Sequence, residues 1–379
     1  MSTKAQVLET FTTEYGSAPQ VISRAPGRLE ILGNHTDYNE GFTLSCAVDK
    51  STFFAASPVA TTMCKIYDLK FEDRVEFDLA AMGDAVPGDW TNFIKGVIVE
   101  LQGRGHELCG FNAVLFSELP LSSGMSSSAA LEVSASLALG QMNNIELSDK
   151  EWAKVGQASE NNFVGANTGL LDQFTSIMGE HHKLVHSDFR TLDTTTCAVP
   201  DNVAIVIANS HVKHDLTQDY NERRQRCEEA AAALCKPFLR DVTMAELEAS
   251  KPDMDIMAYR RALHIVGENE RVDRALEALA SNDIDAFGKI WLESHESSRT
   301  NFENSCPELD QLVEMGSALP GFLGARLSGG GFGGISIHLV EKAEAETYRR
   351  RLATAFETMV GKEPLTMITE IGQGAEIYV

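Results

Sequence analysis

The segment RLSGGGFGGISIHLV, residues 326 to 340, carries Gly329, Gly331 and Gly334 in the G-x-G-x-x-G order of a dinucleotide-binding turn. Such a turn must run into a helix, because the helix N-terminus holds the pyrophosphate. Here the residues after Gly334 are ISIHLV, whose alternation reads as a strand. Context therefore excludes the doubly wound dinucleotide fold. What remains for the loop is a tight hairpin, or a close approach of glycine backbone to an active centre.

The rest of the chain agrees with a mixed rather than an alternating architecture. MSTKAQVLETFTTEYG reads as a helix, QVISRAPGR as a strand running into a turn, and TLSCAVDKSTFFAASPV as two strand-like stretches. TNFIKGVIVELQGRG has helical spacing and stops at glycine, and GFNAVLFSELP alternates up to Pro120. From Ser126, SSSAALEVSASLALGQM predicts a long helix whose small residues require tight packing; SDKEWAKVGQASENNFVG and GLLDQFTSIMG predict two more. HHKLVHSDFRTLDTTTCAVPDN reads as turn-rich and places a boundary near Pro200. Beyond it come the strand AIVIANS, the polar helix TQDYNERRQRCEEAAAALC, two or three further helices up to Leu319, then strands and a helix. Without regular βαβαβ alternation, the expectation is α+β with two domains, residues 1–198 and 199–379.

Charge narrows the partners. The 379 residues hold 32 Lys and Arg against 55 Asp and Glu, a formal net charge of −23. Nucleic acid and anionic membrane both need a basic surface, so neither is expected as a partner. No secretory leader and no membrane span is legible. Seven scattered cysteines without a Cys-x-x-Cys pair point to reduced thiols and a cytoplasmic protein. An anionic substrate would have to be held against this field by a metal ion, a few cations or helix-start N–H groups.

Two more segments depart from core-and-surface logic. APGRLEILGNHTDYNEG, residues 25 to 41, crowds Arg28, Asn34, His35, Asp37 and Tyr38 together. That density suits the paired hydroxyls of a polyol, and equally a solvated Asp/Asn turn. LPLSSGMSSSAALEVS, residues 119 to 134, sets Gly124 and six serines around a helix start. A single serine suffices for an N-cap; the excess favours phosphate oxygens held by free N–H groups, with a hydroxyl available to Mg²⁺. His181, His182 and His186 form the one histidine cluster, better explained by a solvated turn than by metal. Walker, protein-kinase, nucleophile-elbow and H-E-x-x-H signatures are not found.

In this order the three loops resemble those of the galactokinase family, within the galacto-, homoserine, mevalonate and phosphomevalonate kinase superfamily. GLLDQFTSIMG, NSHVKHDLTQDYNERRQRCEEA, SCPELDQLVE and the HES stretch at His295 extend the resemblance over nearly the whole chain. It implies two α+β domains with the active site in the cleft between them, the first binding sugar and ATP and the second carrying the glycine motif. It implies an ATP-dependent sugar 1-kinase turning galactose into galactose 1-phosphate. By position Asp172 matches the base toward the anomeric hydroxyl and Arg28 its electrostatic partner. Ser128 and Glu160 match the Mg²⁺ ligands. Ser122, Ser123, Gly124, Met125, Ser126, Ser127 and Ser128 match the triphosphate loop, and Trp90 an adenine-side aromatic, although a core aromatic fits Trp90 as well. Asn34, His35, Asp37, Gly169 and Tyr220 match sugar contacts. A monomer is implied.

Family members usually carry Glu where this chain has Asn34, so a charge-assisted bond to a sugar hydroxyl is lost there. Thr168 replaces a frequent Cys, and the phosphate loop is richer in serine than is common. The loss at Asn34 opens a rival, a kinase for a related sugar such as galacturonate or N-acetylgalactosamine. A second rival is a sensor that binds galactose and ATP without turnover; it would be expected to lack phosphate-loop or base residues, which this chain keeps.

Overall fold

The computed structural model describes residues 2–120, 124–212 and 217–378. The strands are β1 (Val21–Leu32), β2 (Phe42–Pro58), β3 (Met63–Asp68), β4 (Asp73–Asp78), β5 (Phe111–Ser117), β6 (Lys183–Asp188), β7 (Asp193–Ala198), β8 (Val203–Asn209), β9 (Phe322–Ser328), β10 (Ile335–Glu341), β11 (Leu365–Thr369) and β12 (Glu376–Tyr378). The helices are α1 (Thr3–Tyr15), α2 (Asn92–Gly103), α3 (Ser127–Asn143), α4 (Asp149–Ala158), α5 (Leu171–Met178), α6 (Thr217–Ala233), α7 (Met244–Ser250), α8 (Ile256–Ala280), α9 (Ile284–Ser297), α10 (Pro307–Ser317) and α11 (Ala345–Val360).

One sheet runs in the order β12, β1, β2, β5, β3, β4, with the β6–β7 hairpin added beside β2; the second runs β11, β8, β10, β9. The mixed α+β architecture matches the expectation. Three local readings do not. β1 continues through Pro26 and Gly27 instead of turning there, absorbing them in a register shift between Pro26 and Arg28. β2 is one strand of 17 residues rather than two. The stretch read as turn-rich pairs as an antiparallel hairpin, Lys183 against Ala198 to Asp188 against Asp193, because its run of threonines is a good strand former. Residues 199–379 also do not close on themselves, since β12 leaves the second sheet's half of the chain and pairs with β1.

α3 holds the first half together. Its face is not amphipathic: Ala129 through Gly140 are all buried, so the helix is wrapped by β1, β2, α2, α4 and α5. Small residues permit this approach; a Cβ on Gly140 would sit 2.5 Å from the Trp152 ring. The N-terminus of this buried helix is consequently held in place, beside Asp172, which the Ser126 hydroxyl reaches.

Candidate active site

β1 delivers the first catalytic candidate. Arg28, 6% exposed, extends from the strand and donates through Nε to Asp172 Oδ1 at 2.7 Å and through Nη1 to the Gly124 carbonyl at 2.8 Å. Asp172 lies in the first turn of α5, where the helix dipole favours a carboxylate. Its other oxygen, Oδ2, accepts from the Ser126 hydroxyl. Ser126 occupies the N-cap position of α3 with φ 53°, and makes no capping bond. Its hydroxyl serves Asp172 instead, so the simple N-cap reading of this serine does not hold, and its left-handed backbone marks a constrained position.

Just inside α3, Ser128 donates to Glu160 Oε1 at 2.9 Å while Thr168 donates to Oε2 at 2.6 Å. Glu160 arrives there because α4 ends at Ala158 and the chain makes a π-helical turn over Ser159–Val164. Burial, and the nearby Asp172 charge, raise the Glu160 carboxyl above its ordinary pKa against the pull of the Thr168 hydroxyl.

Between these groups and β1 lies a cavity of about 240 Å³, lined among others by Arg28, Asn34, His35, Asp37, Gly169, Asp172 and Tyr220. All seven residues expected at the sugar and the reacting centre thus share one wall system. Asp37 is packed so closely on Gly169 that a Cβ there would lie 1.5 Å from Asp37 Oδ2. Burial, with Asp172 adding like charge, pushes the Asp37 carboxyl up to about 6. His35, at φ 61°, is buried and its pKa falls to about 4, so it is neutral at pH 7. Its Nε2 lies 3.2 Å from the Gly330 carbonyl and must donate, which leaves Nδ1 to accept from the Tyr38 hydroxyl at 3.0 Å.

The glycine loop is both a hairpin, joining β9 to β10, and a close approach. Gly330 lines the cavity, and a Cβ on Gly331 would strike the Asn304 carbonyl at 2.1 Å. Of the remaining expected residues, Ser122 and Ser123 lie outside the described ones. The Met125 side chain is core, 1% exposed, so only its backbone is available. Trp90 is half-buried against the cluster under α2 and α3, and is not part of this cavity's lining. Glu30 and Asn304 stand in the site beyond the expected residues, and Thr168, marked in the sequence only as replacing a Cys, bonds Glu160. Glu30 had a signal, standing two residues after Arg28 on the same strand face; Asn304 had none.

Comparison with known proteins fits this geometry. Residues 9–58 match the galactokinase galactose-binding signature, residues 92–180 the GHMP kinases N terminal domain and residues 275–358 the GHMP kinases C terminal domain. A galactokinase of Haemophilus influenzae is 38% identical, covering 97% of this chain and 98% of its own. The chain belongs to the galactokinase family. The crystal structure of Lactococcus lactis galactokinase complexed with galactose superposes with a TM-score of 0.94 at 32% identity, covering 99% of this chain and all of that one. The mevalonate kinase of Methanococcus jannaschii shares the fold, with a TM-score of 0.62 at 19% identity over 93% of this chain and 98% of its own. The segment that follows β1 and the β9–β10 loop, far apart in sequence, meet over the cavity. No helix among the described residues is long and apolar enough to cross a membrane.

Proposed function

We propose that the protein transfers the γ-phosphoryl group of ATP to the anomeric hydroxyl of galactose, giving ADP and galactose 1-phosphate. The observation that carries this is the Arg28–Asp172 ion pair, 2.6 Å at its shortest, facing the cavity beside the start of α3. Galactose sits against His35, Asp37, Gly169 and Tyr220, with its anomeric hydroxyl at Asp172. Asp172 accepts or orients that proton as the sugar oxygen bonds to phosphorus and the bond to ADP breaks. Arg28 stabilises the charge shared by the alkoxide and the transferring group, the main work a protein does in phosphoryl transfer.

The triphosphate lies over residues 122–128, where the uncapped N–H groups of α3 meet it; Trp90 lies on the adenine side. Ser128 and Glu160 fit Mg²⁺: a hydroxyl and a buried carboxylate, both hard oxygen donors, stand together where burial and the nearby Asp172 charge penalise the uncompensated carboxylate. The ion, when bound, would neutralise phosphate charge that this −23 chain otherwise repels. We place the reaction in the cytoplasm and assign it to a monomer; all seven cysteines are unpaired.

Galacturonate is a weaker fit than the loss of Glu at position 34 suggests, because Glu30, Asp37 and Asp172 all line the cavity and would face a second anion. A coupled ADP-release assay across galactose, galacturonate, N-acetylgalactosamine and glucose, with and without a Mg²⁺ chelator, tests the reading. Galactose should give the highest kcat/KM and the chelator should abolish turnover. Binding without ADP release would instead support a sensor.

A further inference from the structure

Asn34 cannot make the sugar contact its position suggests. Its amide hydrogens are both spent inside the protein, on Glu30 Oε1 at 2.7 Å and on the Gly329 carbonyl at 2.9 Å, and its Oδ1 accepts from Asn304 at 2.8 Å. The reverse amide orientation would set Oδ1 against two acceptors, so the assignment is forced by the partners. Asn34 is 0% exposed.

Glu30 is placed differently. It projects from the same face of β1 as Arg28 and lines the cavity. Its Oε1 takes the Asn34 amide and, at 3.4 Å each, both Nη atoms of the fully buried Arg326. Among the described residues no donor reaches Oε2, yet Oε2 is not among the sealed, partnerless buried atoms. One carboxylate oxygen of a side chain only 5% exposed is therefore aimed into the cavity with its lone pairs free.

We infer that Glu30 Oε2 accepts a hydrogen bond from one hydroxyl of the bound hexose, making Glu30 a residue that determines specificity, with Asn34 and Arg326 as its positioning residues. This rests on the cavity being the hexose site. Asn34 fixes the carboxylate's rotation and Arg326 balances its charge, so the acceptor is held ready before the sugar arrives. A site built around such an acceptor rejects an analogue lacking the hydroxyl, because the buried oxygen is then left unpaired.

The test is a panel of 2-, 3-, 4- and 6-deoxygalactose against galactose, measured as KM and kcat and as Kd by calorimetry, in the wild type, Glu30→Gln and Glu30→Asp. Removing one partner of a buried ion pair destabilises, so thermal melting is recorded; Glu30→Asp keeps the charge opposite Arg326 and guards against a misfolded Gln variant. In the wild type one deoxy sugar should suffer a penalty that shrinks about tenfold in both variants, expressed in KM and Kd rather than kcat, while the other three penalties stay unchanged. A purely structural role would weaken all sugars alike. Wild-type turnover of galactose with all four penalties unaltered by either substitution overturns the assignment of Glu30 alone. Failure of the wild type to bind or turn over galactose overturns the hexose site, and this inference with it.

Discussion

Arg28 Nε and Asp172 Oδ1 meet at 2.7 Å although 144 residues separate them in the chain. The contact joins the strand that opens the first sheet to the first turn of α5, and through the Arg28 bond to the Gly124 carbonyl it ties both to the serine-rich loop. The planar fork matters, since Nε and Nη2 hold the carboxylate while Nη1 holds the loop. Arg28→Lys removes that geometry while keeping the charge, so kcat should fall on the order of a hundredfold with a smaller change in the KM for galactose. Steady-state kinetics check this; an unchanged kcat would mean that a point charge suffices.

The acidity of the cavity sets a pH limit. Burial raises Asp37 to about 6 and Glu30 to about 7, so both are increasingly protonated as pH falls through that range. An ionised carboxylate is the better acceptor for a sugar hydroxyl. The kcat/KM for galactose should therefore fall on acidification between about pH 7.5 and about pH 5. Asp37→Asn should lower kcat/KM at alkaline pH and remove the more acidic step. A profile for the wild type that stays flat across this interval contradicts the role given to these two groups.

Gly169 has no room for a side chain, as a Cβ would fall 1.5 Å from Asp37 Oδ2. Gly169→Ala must displace the Asp37 carboxylate. The KM for galactose should rise by about tenfold or more, the equivalent of one lost charge-assisted bond, while the melting temperature changes little. An unaltered KM would show that Asp37 does not contact the sugar.

Much of this site could be read from the chain, and the reasons differ by residue. Arg28, Asp37, Asp172 and Tyr220 sit in segments whose composition or family resemblance marks them, and the cavity gathers them all. Glu30 is not marked in the sequence because Pro26 and Gly27 read as the end of a strand; the strand in fact continues through a register shift, and only then does the spacing of two between Arg28 and Glu30 acquire meaning. The sequence pattern puts Glu160 in a plain helix, whereas a π-helical turn aims it at Ser128. Asn304 reaches Asn34 across 270 residues, a contact that no local pattern encodes. The β6–β7 hairpin was hidden by polar residues that suggest turns until a neighbouring strand, β2, is there to pair with them.

Phosphorus NMR of a single reaction mixture of the protein, ATP, Mg²⁺ and galactose tests the central claim most directly, run beside the Asp172→Asn variant. The account predicts a phosphomonoester resonance coupled to the anomeric proton, with ADP in equal amount, and a rate on the order of a thousandfold lower in a variant that melts like the wild type. ATP left intact, phosphate released to water, or phosphate appearing at another carbon of the sugar would contradict it.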